Sequence, residues 1–264
     1  MRIITLIKQV ADTAQLSRTV DGLTLMAERG PRIVNPWDEY AIEATLQLKE
    51  AHGGDVTLLC MGEPAAIEAL RAGIALGADA AILLSDPAMK DSDSLGTARV
   101  LAAAITKIGE FDLVIGGRAA IDGNTAATTV QVAALLGIPQ VSYVAELKAL
   151  DPAARSITAV RLLEHGRETV TSTLPAAITV VKEINEPRYP SLIGIRRAAR
   201  ATIPTWTLGD LGLEPSLVGL AGTQARWPEV TLPPDQETNL EVIAGAPAEA
   251  AKILADRLVA AKVI

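Results

Sequence analysis

The chain has 264 residues, long enough for one large domain or two small ones, and 49% of them are hydrophobic, which supports an ample core. A net charge of −7 and a pI near 5.0 argue against nonspecific nucleic-acid binding, which needs a basic footprint to displace counterions. The single cysteine, Cys60, and two separated histidines exclude an internal disulfide framework and a cysteine-based metal cluster, so no metal is expected and a cytoplasmic location is the simplest expectation. No apolar run reaches the roughly 18 residues that cross a bilayer. The start, Met1 to Ile7, broken by Lys8, reads as a first strand and not as a signal peptide.

From that start to about Val144, short β-branched runs alternate with helix-like segments, which predicts βαβ units around a parallel sheet. Strands are expected at Arg2–Val10, Asp55–Met61, Ala80–Leu84, Phe111–Gly116 and Gln140–Val144. Asp21-Gly22 marks a hairpin excursion before Asn35. The first long helix should open at Asn35-Pro36, with Asn35 accepting a hydrogen bond from a free N–H of the first turn and Pro36 pre-organised for the first helical position. Further helices are expected at Pro64–Leu76, Asp93–Ile108 and Thr125–Leu136, each stopped by a glycine. After Asp151-Pro152 a hairpin around His165-Gly166 precedes a strand at Ala176–Lys182. From Asn185 onward prolines recur and no long periodic segment appears until Ala248–Ala261, which suggests an extended arm packing on another subunit and ending in a docking helix.

In an open parallel sheet, ligands lie beyond the carboxyl ends of the strands. That singles out Leu6 to Val10, Cys60-Met61-Gly62 and the loop Gly116 to Thr125, with Asn35 to Asp38 as a further candidate. In the loop the glycines allow close backbone approach, Arg118 offers charge to a phosphate, and Asn124 or Thr125 can open a helix whose start favours an anion. Asp122 would repel that phosphate if it faced it. It suits accepting a ribose hydroxyl or fixing the loop through backbone N–H groups; alternatively the whole loop is only a capped strand-to-helix turn. No G-x-x-x-x-G-K-[ST] or strand-coupled G-x-G-x-x-G occurs, so ATP hydrolysis is not indicated. Cys60, with no histidine near it in sequence, reads as an inert core residue. His165 reads as a turn residue, and Trp37, Trp206 and Trp227 as packing residues, the last two as possible interface anchors. The segment Asn185 to Arg197 has two stiffening prolines, a capping Ser191, and apolar Leu192, Ile193 and Ile195 beside Arg196 and Arg197. It reads either as a hydrophobic knob ringed by positive charge or as a short amphipathic helix on the chain's own body.

Ile7-Lys8-Gln9-Val10, Asn35-Pro36-Trp37-Asp38 with Glu43, Gly77-Ala78-Asp79-Ala80, Ala120-Ile121-Asp122-Gly123-Asn124-Thr125-Ala126 and, most specifically, Asn185-Glu186-Pro187-Arg188-Tyr189 followed by Leu192 occur in order along nearly the whole chain. Together they resemble the β (small) subunits of electron-transfer flavoproteins. The resemblance implies an α/β fold with a doubly wound, mostly parallel sheet of adenine-nucleotide-binding type, a β-hairpin addition and an extended C-terminal arm. It divides the chain into a nucleotide-binding domain, residues 1–184, a partner-recognition loop and helix, residues 185–200, and an arm and helix packing on the α subunit, residues 201–264.

The resemblance further implies a noncatalytic carrier in a heterodimer, with FAD held mainly by the α subunit and an AMP buried here. Electrons would come from flavin dehydrogenases such as acyl-CoA dehydrogenases and leave to a quinone-linked or other acceptor oxidoreductase. The cofactor-binding residues implied are Leu6, Lys8, Asn35, Asp38, Cys60, Gly117, Arg118, Ala120, Asp122, Gly123, Asn124, Thr125 and Thr128. Those implied for partner recognition are Glu186, Pro187, Arg188, Tyr189, Leu192, Ile195 and Arg196, with Leu192 entering an apolar pocket, while Glu168 helps to position the mobile flavin domain. Lys8, Gln9 and Asp12 near the first strand's end, with the Asp-Gly-x-Thr-Ala likeness, leave a second FAD in place of AMP as the alternative. The loop lacks the Gln and Val-Gly-Pro that usually accompany that second flavin, which tips the balance to AMP. Two other readings on such a fold, a nucleotide sensor of the universal-stress type and an adenylating or pyrophosphate-releasing enzyme, lack their loop signatures here.

Overall fold

The computed structural model describes residues 1–13, 30–225 and 240–264; the hairpin expected at Asp21-Gly22 and Trp227 lie outside the described residues. Strand β1 (Arg2–Ile7) ends three residues short of expectation, because the chain leaves the sheet at Lys8 and Gln9–Ala11 becomes β2, paired antiparallel with β3 (Arg32–Val34). Helix α1 (Pro36–His52) starts and stops where Pro36 and Gly53 predict. Next come β4 (Asp55–Met61), a 3₁₀ turn at Pro64–Ala66 leading into α2 (Ile67–Leu76), β5 (Ala80–Leu84) and α3 (Ser94–Ile108). Asp93 caps α3 by accepting the Gly96 N–H.

Then follow β6 (Leu113–Gly117), α4 (Thr128–Leu136), β7 (Gln140–Asp151), β8 (Ser156–Leu163), β9 (Gly166–Thr173) and β10 (Ala176–Val180). Strand β7 outruns its predicted end because, past Val144, it leaves β10 and continues as the partner of β8. The last elements are α5 (Leu192–Arg200), β11 (Thr205–Trp206), two short turns of helix, α6 (Leu208–Leu211) and α7 (Gly219–Gly222), and α8 (Pro247–Ala260).

Among the described residues the main sheet runs β11-β5-β4-β1-β6-β10-β7-β8-β9, parallel from β11 to β7 and antiparallel in the β7-β8-β9 addition. Alternation along β1 sends Ile4 and Leu6 into a core with α3 and α4. The other face of the sheet packs Ile7, Leu58 and Cys60 against α1 and α2. Helices therefore cover both faces of a doubly wound sheet, as expected. Where the threonines of β1 and α1 meet inside, Thr5 and Thr45 satisfy each other at 2.8 Å.

The stretch from residue 201 was expected as an extended arm packing on another subunit, and its first part lies on the chain's own body. Ile203, Leu208 and Val218 are buried there, β11 extends the sheet beside β5, and Lys107 sits 4.5 Å over the Trp206 ring while its ammonium donates to the Asp210 carbonyl. A second compact unit, Pro228–Ile264, carries α8, with Arg257 ion-paired to Glu241.

Helix α5 is fastened to the end of α2. The Arg197 guanidinium donates to the Ile74 carbonyl in the last turn of α2 and to the Ala78 carbonyl just past it, at 2.9 and 2.7 Å, and Arg71 donates back to the Ala198 carbonyl at 2.7 Å. The two helices touch at Gly194, where an added Cβ would lie 2.1 Å from the Ala75 carbonyl oxygen. Gly194→Ala is therefore expected to lower unfolding free energy by about 1–3 kcal/mol. Gly123→Ala, with nothing within 4 Å, should change it by no more than about 0.5 kcal/mol. Denaturant unfolding of the two variants checks the contrast, and equal stabilities would refute the close contact.

Candidate functional site

The chain runs from β1 outward through β4 and β5, then returns to the other side of β1 as β6. The crevice between the carboxyl ends of β1 and β6 is thus the switch point where a doubly wound sheet binds ligands. Three segments meet there: Lys8 after β1, Gly117 to Thr125 after β6, and Asn35 to Asp38 at the start of α1. Sequence alone could not give the distance of the last from the mouth.

Asp38 joins them. It is 6% exposed; one carboxylate oxygen accepts the Lys8 N–H at 2.7 Å and the other the Gly117 N–H at 3.2 Å. Gly117 must be glycine for this, since a Cβ there would lie 2.4 Å from the Asp38 carboxylate and 2.6 Å from the Trp37 backbone. Asn35 occupies the cap position of α1 but does not cap it. Its amide instead donates to the Ala119 carbonyl at 2.9 Å and accepts the Ile121 N–H at 3.1 Å, tying the loop to the helix start. The loop outbids the helix because its own backbone groups have no ladder partner.

The loop's side chains are arranged differently from expectation. Both carboxylate oxygens of Asp122 receive the Lys8 ammonium, at 2.8 and 2.6 Å, so Asp122 is held by a charge across the mouth. The Arg118 guanidinium lies 4.6 Å from the centre of the Trp37 ring, and its Nε is buried without a hydrogen-bond partner. Trp37, taken as a packing residue in the sequence, therefore supports a charged group, and its place directly before Asp38 was the available signal. Helix α4 opens at Thr128, not at Asn124 or Thr125, because Asn124 (φ 46°) and Ala126 (φ 53°) are left-handed and cannot continue a helix. Its cap position is Ala127, whose side chain has no oxygen to offer the first N–H groups. Glycine backbone, a fixed guanidinium and an uncapped helix start together can receive a phosphate-sized anion.

Two implied ligand residues can offer only main chain. Leu6 is 6% exposed and packed in the core, and Cys60 is fully buried, its thiol pushed up to about 12 by burial, a setting that disfavours the thiolate. His165 lies in the exposed β8–β9 turn. On β9, Glu168 faces Arg161 across the hairpin at 4.0 Å.

The segment from Asn185 to Arg197 presents Tyr189, Leu192, Ile193 and Ile195 to solvent, Leu192 at 77% exposure, with Ser191 capping α5 by accepting the Gly194 N–H at 3.0 Å. Arg188 turns the other way, onto α1. Its Nε and Nη2 reach Glu43 at 2.7 and 3.0 Å, and Nη1 reaches Glu50 at 2.5 Å. Among the described residues no helix is long and apolar enough to cross a membrane.

The electron transfer flavoprotein domain family model matches residues 23–211. "Protein FixA" of Azorhizobium caulinodans is 39% identical over 258 residues, 95% of this chain and 92% of that one. The "Caffeyl-CoA reductase-Etf complex subunit CarD" of Acetobacterium woodii is 42% identical over 221 residues, 83% of each chain. The "Electron transfer flavoprotein subunit beta" of Megasphaera elsdenii is 36% identical over 273 residues, the whole of both.

Burial pushes the Asp38 carboxyl up to about 7, against the pull of the hydrogen bonds it accepts from the Asn35 side chain and from the Lys8 and Gly117 N–H groups. A proton is then held more tightly by the folded than by the unfolded chain. The stability that this proton confers is complete below the ordinary value of 3.8 and is lost as pH rises through about 7. Asp38→Asn leaves one backbone N–H without an acceptor and should cost about 1–3 kcal/mol at pH 5. Because the variant lacks the titration, the gap to wild type should narrow between pH 5 and pH 8. A gap that widens with pH in thermal unfolding would contradict this account of Asp38.

Proposed function

The chain belongs to the electron transfer flavoprotein family as a β-type subunit, and from that premise we propose that it pairs with an α subunit, buries an adenine nucleotide in the crevice between β1 and β6, and docks on flavin dehydrogenases through the segment around Leu192. The observations that carry the nucleotide are the buried Arg118 Nε without a partner and, at the far end of the same loop, a helix start that Ala127 cannot cap. An anion answers both deficits at once. The residues that would hold it are Gly117, Arg118 and the loop from Ala120 through Asp122, Gly123, Asn124 and Thr125 to Thr128, with main-chain groups of Leu6 and Cys60 lining the strand ends. Asn35 and Asp38 hold that frame rigid.

In this reading FAD is carried mainly by the α subunit, where it supplies the redox chemistry of the heterodimer, and this chain contributes no catalytic residue. Its work is to bind, to orient and to dock. Glu168, exposed on the outer strand of the sheet addition, is proposed to position the flavin domain, and the unit beginning at Pro228 to pack on the α subunit. Electrons would enter from dehydrogenases such as acyl-CoA dehydrogenases and leave to a quinone-linked or other acceptor oxidoreductase, in the cytoplasm. A second FAD in place of the AMP is favoured by one observation. The Lys8 ammonium stands at the strand end facing the same mouth, neutralised by Asp122 but not withdrawn into the core.

Denaturing the purified heterodimer and quantifying the released nucleotides should yield one FAD and one AMP. Two FAD and no AMP would establish the second reading, and no adenine nucleotide beyond a single FAD would remove the cradle altogether. For docking, Leu192→Ala should cost about 2 kcal/mol in association with the dehydrogenase, which raises its KM for the carrier roughly thirtyfold. Thermal stability and bound nucleotide should stay as in wild type, since Leu192 contributes little to the core. An equal loss of stability would mark Leu192 as a packing residue.

A further inference from the structure

We propose that Glu43 and Glu50, acting through Arg188, are positioning residues that hold the docking segment in fixed register with the nucleotide cradle; the proposal rests on the docking reading of Leu192 given above. Glu43 and Glu50 are seven residues apart, two turns along the same face of α1, so a single guanidinium can span them. Arg188 does so with four contacts, to Glu43 at 2.7 and 3.0 Å and to Glu50 at 2.5 and 3.2 Å, while its backbone N–H donates to Glu43 at 3.2 Å. The geometry is the planar fork that only arginine supplies. Glu43 is 5% exposed and is completed by the Gln47 amide at 2.8 Å. Burial pushes its carboxyl up, and the hydrogen bonds from Arg188 and Gln47 more than offset this, holding it below the usual range. One residue group earlier, the Asn185 amide donates to the Tyr40 carbonyl at 3.0 Å.

The segment is thus tied to α1 at Asn185 and Arg188 before it emerges as Tyr189 and the exposed Leu192, and tied to α2 after it by Arg197. Helix α1 is the same helix whose first turn carries Asp38 and closes the cradle. An exposed apolar anchor binds tightly only if its conformation is already set, because ordering it on association subtracts from affinity. The clamp supplies that order from the element that frames the nucleotide.

The test uses the heterodimer co-expressed with its α subunit and an acyl-CoA dehydrogenase that reduces the wild-type protein, with dithionite as a reductant that needs no docking. Arg188→Met should raise KM roughly tenfold with kcat unchanged. Reduction by dithionite should be unaltered, and amide hydrogen exchange should accelerate in residues 186–195 but not in α1 or in the loop after β6. Arg188→Lys should recover part of the loss, since an ammonium keeps the charge but not the fork. Should Arg188→Met fail to assemble, Glu50→Gln, which removes only the exposed half of the clamp, should raise KM about threefold. An unchanged KM in these variants while Leu192→Ala raises it would overturn the clamp and leave docking intact. An unchanged KM in Leu192→Ala as well would remove the docking reading and the proposal with it. A fall in kcat, nucleotide content and thermal stability together, with no KM effect of its own, would make Arg188 a fold residue only and also overturn the proposal.

Discussion

The structure turns on one buried carboxylate. Asp38 accepts the first free N–H beyond β1 and the last N–H of β6, so two parallel strands and the start of α1 converge on its two oxygens. A carboxyl group is the side chain suited to the task, because each of its two oxygens can accept an N–H whether or not one of them carries a proton, whereas an amide would turn an N–H against one of the strand ends. Burial is costly for the charged form, and the hydrogen bonds only partly offset it, which is why the group titrates so far above its ordinary range. Such a tie is tolerable at a switch point, where the strands diverge and their terminal N–H groups would otherwise be left without partners.

Much of this was legible because it is local. The aliphatic runs of Asp55–Met61 and Ala80–Leu84 match their strands end for end, and the Asn-Pro start and glycine stop of α1 gave its limits. What escaped was set by contacts between residues far apart in the chain. Asn35 has the composition of a cap, yet its amide serves a loop more than 80 residues away. Arg188, read as part of a recognition surface, is committed to α1 by Glu43 and Glu50, 145 and 138 residues earlier. The helix after the loop starts at Thr128 because of left-handed backbone at Asn124 and Ala126, which neither residue type demands, alanine least of all. Proline recurrence after Asn185 suggested a segment with nothing to bury. Isolated apolar residues such as Ile203, Leu208 and Val218 need no periodicity to fill gaps in a surface already built.

The composition explains how the layers approach so closely. With aromatics at 3% and alanine abundant, the helices meet the sheet and one another through small side chains, and at several points only glycine fits. Gly73 faces Leu58 on β4, Gly116 faces Thr129 on α4, and Gly194 faces the backbone of α2. Close contact of this kind makes helix positions stiff relative to the strands, since a packed interior transmits displacement and does not absorb it. Stiffness suits a crevice assembled from three chain segments, and the same helix, α1, also holds the segment around Arg188.

The exposed apolar group at Tyr189, Leu192 and Ile193 is the counterpart of that stiffness. A large side chain left in water forgoes about 1.5–3 kcal/mol of burial, so a cluster of them has to be held out by stronger local ties. Here the ties are polar: Asn185 and Arg188 on one side, Ser191 at the helix start, and Arg197 capping α2 on the other. Helix α5 has a single buried residue, Ala198, so hydrophobic burial contributes little to holding it. Collapse of the knob onto the body would require Gly194 to lift from Ala75 and both arginines to surrender charge-assisted or carbonyl hydrogen bonds in a partly desolvated setting. That cost keeps the apolar face outward, flanked by Arg196 and Arg200, whose like charges discourage self-association.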